Sequence, residues 1–289
     1  MKICKRNKVL TERGFVNASQ LHTCKYIVDK QGNKNKFNIV DEELSPITYI
    51  SNNRSKKAFV LDEYLETHKV KLFNVFKGEY KATFNPFILG FTCLLNCFEY
   101  KNKVYCEINS ETYSSLPKKF KDECRKKEKF EDLTVKTDIT YNLGRALLYN
   151  NKLKNYVLSS RVNFIPQEIL FNNENTRIIF IKGLLTNLPY KKDGNKLIVN
   201  YGNFTFLKHL GLLIQSLGGD YKWSSKNNYY EFVFYLSDYL LKNLFNVRDL
   251  FKVDLNNNIE KMYNGFEKSL ILDTSAISYV IDNFITIEV

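Results

Sequence analysis

Two glycines, each set inside an apolar helical stretch, constrain this chain more than any other feature. Gly90 lies in Pro86-Phe87-Ile88-Leu89-Gly90-Phe91-Thr92-Cys93-Leu94-Leu95-Asn96, and Gly183 in Ile178-Ile179-Phe180-Ile181-Lys182-Gly183-Leu184-Leu185. A glycine inside a helix costs about 1 kcal/mol against alanine, so two of them at matching places call for a packing reason. Close approach of the two helices is the reason expected. The second stretch reads as a helix from Asn175 to about Leu188, stopped by Pro189, which cannot continue a helix. Asp193-Gly194 then supplies a turn before a strand over Lys196–Tyr201. The first reads as a helix over Pro86–Phe98, with a strand over Lys103–Asn109.

The same order of elements recurs downstream of each glycine. Residues 84–160 continue with a basic helix (Pro117–Lys129), strands near Leu133–Tyr141 and a helix (Leu143–Val157). Residues 175–247 continue with a helix (Thr205–Leu217) ended by Gly218-Gly219, strands at Tyr221–Ser224 and Tyr229–Leu236, and a helix (Asp238–Asn246). Two successive α-β-α-β-β-α units constitute an internal repeat. Ahead of them, residues 1–80 read as an all-β module of short strands: Val9–Thr11, Phe15–Val16, Tyr26–Val28, Phe37–Val40, Ile47–Ile50, Ala58–Leu61 and Val70–Val75. In residues 251–289, Phe251–Leu255 and Ser269–Ile271 read as strands and Asn256–Phe266 as a short helix, the segment returning to the β module. The expectation is an α+β fold in three parts: residues 1–80, 81–250 and 251–289.

Composition excludes several classes. No apolar run approaches the roughly 20 residues of a membrane span, and the basic N-terminus has no apolar core behind it, so an intracellular protein is expected; nucleus, organelle and viral compartment are not distinguished. Six cysteines, with no Cys-x-x-Cys, and three histidines give no zinc spacing; Cys93 and Cys97 read as buried core residues. The formal net charge of +12 points to a polyanionic partner. The excess is uneven: 15 Lys and Arg against 9 Asp and Glu over residues 1–80, 17 against 11 over 81–190, and 11 against 11 over 191–289.

The order Ile165-Pro166…Gly183-Leu184-Leu185…strand, with its weaker copy around Gly90, resembles the signature helices of LAGLIDADG homing endonucleases. That resemblance implies two pseudo-symmetric repeats in one chain, with the signature helices packed side by side and small residues letting their backbones touch. Val9-Leu10-Thr11-Glu12-Arg13-Gly14-Phe15 resembles the opening of an intein (Hint) domain, Thr67-His68-Lys69-Val70 its histidine block, and Tyr279–Thr286 the strand near its end. Splicing chemistry is not expected: Cys4 has Met-Lys-Ile ahead of it, the chain ends Thr286-Ile287-Glu288-Val289, and Leu65 stands where the family prefers Thr.

LAGLIDADG enzymes hold Mg²⁺ with one acid at the foot of each signature helix. The resemblance places those acids five residues after each glycine, at Leu95 and Leu188, and leucine offers no oxygen. No catalytic residue and no metal ligand is therefore assigned. Glu99 and Asp193 are the nearby acids that a relocated site would use, and only then would Mg²⁺ be required. DNA reading is what the resemblance leaves, through two sheets set over the duplex. Period-two alternation puts Lys103, Tyr105, Glu107 and Asn109 on one strand face, with Lys101 beside them; Lys191, Lys192 and Lys196 flank the Asp193-Gly194 turn, and Lys222, Ser224 and Lys226 follow the third strand. Ordinary solvated polarity is the plain alternative for all of these, as for the Pro117–Lys129 helix, and Trp223 reads as core or rim. Three function classes follow: a DNA-binding protein with cleavage and splicing lost; an active site-specific endonuclease with relocated acids; or a viral or organellar assembly protein contacting RNA or protein. A monomer with internal pseudo-twofold symmetry is expected, bound to double-stranded DNA and to no membrane.

Overall fold

The structure is a computed structural model that describes residues 1–78, 82, 84–100, 103–109, 141–146, 151–158, 164–245 and 259–289. The fold is α+β, and among the described residues every strand pairing with a defined register is antiparallel. No helix among the described residues is long and apolar enough to cross a membrane. Two compact units emerge: Met1–Tyr80 with Leu170–Glu174 and Lys191–Val289, and Lys81–Ile169 with Asn175–Tyr190.

In the first unit a ten-stranded sheet gathers both ends of that unit's sequence. Lys8–Thr11 forms a hairpin with Gly14–Asn17, and Gly14 takes the φ of +90° that closes the turn. Ser278–Ile281 pairs back onto Lys8–Thr11, and Ile285–Glu288 onto Val70–Lys71. Ile3, Val9, Leu21, Ile27, Ile47, Tyr279, Ile281, Ile285 and Ile287 fill the core beneath. Through this sheet runs a long ribbon, Lys34–Ser51 against Glu260–Thr274.

That ribbon corrects two expectations. Phe37–Val40 and Ile47–Ile50 are not separate strands but parts of one 18-residue strand, and the helix expected over Asn256–Phe266 is replaced, from Glu260 onward, by strand. The cause is the same in both. Residues 38–42 and 260–264 are exposed, so neither segment carries the buried face that gives a strand its period-two hydrophobic signal. Each is extended because the other pairs with it.

The same unit contains a four-stranded sheet in the order Tyr190–Asp193, Lys196–Tyr201, Tyr230–Tyr235, Asp220–Ser225, with the helix Phe204–Ser216 on one face. Asn203 caps that helix, its side-chain oxygen accepting from Phe206 N at 3.0 Å. Close helix–sheet packing explains Gly211, where an added Cβ would lie 2.6 Å from the Tyr221 ring. A polar seam lies at one end of the sheet. Asn52 Nδ2 donates to Asp220 Oδ2 at 2.7 Å, Ser55 Oγ donates to Asp220 Oδ1, and Gln215 Nε2 donates to Ser55 Oγ at 2.5 Å. Beside it, the fully buried Lys56 donates through Nζ to Asn283 O. Burial lowers the Lys56 ammonium to about 7, and the nearby Asp220 carboxylate opposes that fall only in part.

In the second unit the helix Pro86–Thr92 starts at a well-formed cap, Asn85 accepting from Phe87 N at 3.1 Å and Ile88 N at 3.2 Å. It ends well short of Phe98, because Cys97–Tyr100 is a strand paired with Lys103–Asn109. Thr92 Oγ1 turns back to Ile88 O at 2.8 Å, a local bond that competes with the helix ladder. The helix expected over Leu143–Val157 is likewise corrected: Tyr141–Ala146 is a strand on the other side of Lys103–Asn109, and among the described residues of that stretch the helix is Asn151–Leu158. Cross-strand pairing overrides helix propensity there. The Pro117–Lys129 helix and the strands through 133–140 lie outside the described residues, as do Phe251–Leu255.

Candidate nucleic-acid interface

The centre of the second unit is the contact between the helices Pro86–Thr92 and Glu174–Leu185. A Cβ added at Gly90 would lie 2.1 Å from Phe180 O and 3.0 Å from Leu184 N. A Cβ added at Gly183 would lie 2.1 Å from Phe87 O and 2.9 Å from Phe91 N. Each glycine thus rests on the other helix's backbone, in one reciprocal arrangement. At the end of the contact Asn187 Nδ2 donates to Phe91 O at 2.5 Å, tying the foot of one helix to the other. Cys93 is buried with its Sγ directed at Gly90 O, 3.0 Å away, and burial holds its thiol well above the ordinary range; Cys97 is half-buried.

At the feet of these helices stand Leu95, half-buried, and Leu188, buried. Hydrocarbon at both places does not fit a hard divalent cation, which needs oxygen ligands. Glu99 is exposed on the strand Cys97–Tyr100, and Asp193 is exposed at the end of Tyr190–Asp193. Among the described residues, no group of three or more His, Cys, Asp or Glu is placed to hold a metal ion.

The four-stranded sheet has two chemically different faces, read directly from its register. Cross-strand rows Leu197–Phe234–Tyr221 and Val199–Phe232–Trp223 form the face toward the helix Phe204–Ser216. Trp223 is at the rim, 50% exposed, its ring stacked on Phe232 at 6.3 Å and edge-on to Phe204 at 4.7 Å. The opposite face carries the rows Lys196–Tyr235–Asp220, Ile198–Val233–Lys222 and Asn200–Glu231–Ser224. Lys196, Lys222 and Ser224 therefore share this face. Asn200, Glu231 and Tyr235 join them; the sequence reading missed these because their strand neighbours are all apolar or aromatic. Arg54 stacks its guanidinium 4.2 Å from the Tyr235 ring, closing the end where Asp220 is buried.

The remaining candidates sit at the margins. Lys191 and Lys192 are exposed on the edge strand, with Lys192 Nζ 5.6 Å from the Phe245 ring. Lys226 lies in the turn between Asp220–Ser225 and Tyr230–Tyr235, and its Nζ is 4.0 Å from Glu231 Oε1. Ser224 Oγ donates to the same carboxylate at 3.4 Å, so one acid partly neutralises this corner. Lys103, Tyr105, Glu107 and Asn109 alternate along the central strand of the three-stranded sheet, whose register sets Tyr105 between Phe98 and Arg145. Lys101 lies outside the described residues.

No protein-family model matches the chain, and no curated protein does. Among solved structures, mesophilic variants of the homing endonuclease I-DmoI are similar at 20% identity, over 57% of this chain and 96% of theirs, with a TM-score of 0.38. I-DmoI in complex with DNA and Mn is similar at 19% identity, over 57% of this chain and 97% of that one, with the same TM-score. At that score the likeness does not define the architecture, which rests on the pairings given above.

Proposed function

We propose that this chain is a double-stranded-DNA-binding protein built on a LAGLIDADG-type helix pair, with metal-dependent cleavage lost, and carrying an intein-type β module that no longer splices. The supporting observation is the reciprocal seating of Gly90 and Gly183 on opposite helix backbones, in the helices Pro86–Thr92 and Glu174–Leu185, with Leu95 and Leu188 three residues beyond their ends. The pairing keeps what holds two repeats together; the leucines remove what would hold Mg²⁺. The open face of the four-stranded sheet offers Lys196, Asn200, Lys222 and Ser224, the cation, amide and hydroxyl chemistry that reads base edges in a groove. Lys191, Lys192 and Lys226 at its margin suit phosphates, which position a protein without specifying sequence. In the other repeat, Lys101, Lys103, Tyr105, Glu107 and Asn109 take the corresponding role. No cofactor is required for binding.

The test is fluorescence anisotropy with mixed-sequence duplex, titrated with salt, in EDTA and in Mg²⁺, beside a plasmid-nicking assay in Mg²⁺ and Mn²⁺. Expected is metal-independent binding that weakens steeply with salt, with no nicking. Cleavage abolished by Glu99→Gln or Asp193→Asn would establish a relocated active site instead. Failure to bind any duplex would end the DNA reading.

A further inference from the structure

Among the described residues, one strand edge is unpaired over part of its length. In Glu260–Thr274, the inner side pairs with Lys34–Ser51, while the outer side pairs with Lys2–Cys4 only at residues 269–271. Lys5 N extends that contact to Lys268 O at 3.0 Å, and no described strand lies outside residues 260–267. The Lys268 carbonyl therefore faces outward, and strand alternation turns the backbone groups of Phe266 and Asn264 outward with it. Natural sheets blunt such edges with prolines, charges or cover. This one carries charges only at its two ends, Glu260-Lys261 and Glu267-Lys268, and between them shows Met262, Tyr263 and Phe266 at 60%, 58% and 68% exposure.

The residues along the edge are self-complementary. Read antiparallel about Asn264, the segment Glu260-Lys261-Met262-Tyr263-Asn264-Gly265-Phe266-Glu267-Lys268 sets Glu260 against Lys268, Lys261 against Glu267, Met262 against Phe266 and Tyr263 against Gly265, in both directions. Only registers that pair outward-facing residues with one another can form a ladder. Centring on Met262 would set Glu260 against Asn264, on Tyr263 Glu260 against Phe266, on Gly265 Met262 against Lys268, and on Phe266 Asn264 against Lys268 and Met262 against the buried Leu270. None of these matches opposite charges.

We propose that a second copy of this chain docks here, edge to edge, about a two-fold axis through Asn264. Such an isologous contact closes on itself and uses one patch twice. Met262 and Phe266 cover one another at its centre. The register shift between Lys261 and Tyr263 ends the hydrogen-bonded stretch, and the charged residues beyond it meet through their side chains. Arg6 already holds Glu267, so Lys261 of the other copy joins an existing pair. The pairing replaces the monomer expected from the sequence and is independent of the DNA reading. A single strand edge is a small interface, so the dimer forms reversibly and at high concentration.

Sedimentation equilibrium over a wide concentration range tests it on the full chain. A concentration-dependent dimer is expected. Glu260→Lys sets like charges together twice across the two-fold and weakens it about tenfold; adding Lys268→Glu restores it. Register is tested by cysteine cross-linking. A residue on the axis meets its own copy at a Cα separation of about 5.5 Å, within disulfide range. Asn264→Cys should thus cross-link, Phe266→Cys alone should not, and Met262→Cys with Phe266→Cys should. These exposed cysteine sites keep the test readable if a charge variant folds poorly. A chain that stays monomeric, a dimer indifferent to both charge variants, or cross-linking through Cys at 266 alone would overturn the proposal.

Discussion

Lys56 shows how far one residue's environment can depart from what its letter implies. In the sequence it is one of 43 Lys and Arg in a strongly basic chain. In the structure it is fully buried, and its folded-state pKa falls from 10.5 to about 7. The sign of the pH effect follows. Between about pH 7 and pH 10.5 the unfolded chain holds a proton on Lys56 that the folded chain has released, so stability rises with pH across that window. Below it both states are charged, and folding bears the full cost of burying the cation. The stability of the wild type relative to Lys56→Met is therefore expected to climb by a few kcal/mol from neutral pH to the top of the window, measured by denaturant melts of both proteins. A flat difference would show the ammonium to be solvated. Nothing in Ser55-Lys56-Lys57 signals this burial, because it is imposed by Asn283 from the far end of the sequence and by Phe73, which lies 5.9 Å from the amine.

Among the elements, the helix pair makes the sharpest demand. Alanine at Gly90 or Gly183 places a methyl 2.1 Å from a backbone carbonyl oxygen of the facing helix, where no side-chain rotation relieves the clash. Alanine usually favours a helix, so each substitution isolates packing from propensity. Gly90→Ala and Gly183→Ala are each expected to destabilise by about 2–4 kcal/mol, read as a drop in denaturant midpoint without a change in slope. A neutral or stabilising outcome would mean that the helices do not touch. Element by element, the sequence was a good guide where one face is buried: the capped helices, the hairpin Lys8–Asn17 and the strands Lys196–Tyr201 and Tyr230–Tyr235 all follow their hydrophobic period. It failed where that period is missing or local propensity loses to pairing. Residues 260–266 read as helix and Leu143–Ala146 as the start of a helix, yet both are strand because another strand hydrogen-bonds to them.

At the scale of the whole molecule, net charge alone is a poor guide to where a polyanion would sit. Residues 191–289 carry no net charge, yet they present Lys191, Lys192, Lys196, Lys222 and Lys226 on or beside one sheet face. If that face meets duplex DNA, each lysine replaced by alanine that had contacted a phosphate lowers the salt slope of binding by about 0.9. Removing Lys191 and Lys192 together is expected to weaken all duplexes alike, whereas Lys222→Ala on the sheet face alters sequence preference; anisotropy on a panel of duplexes separates the two. What the sequence determined by itself was local: two helices needing a close neighbour, the absence of oxygen at Leu95 and Leu188, and the strands whose burial alternates. Which segments meet was decided only in three dimensions. Backbone pairing over a long ribbon and the burial of a single cation depend on chain segments more than 200 residues apart, and no local pattern of side chains encodes such contacts.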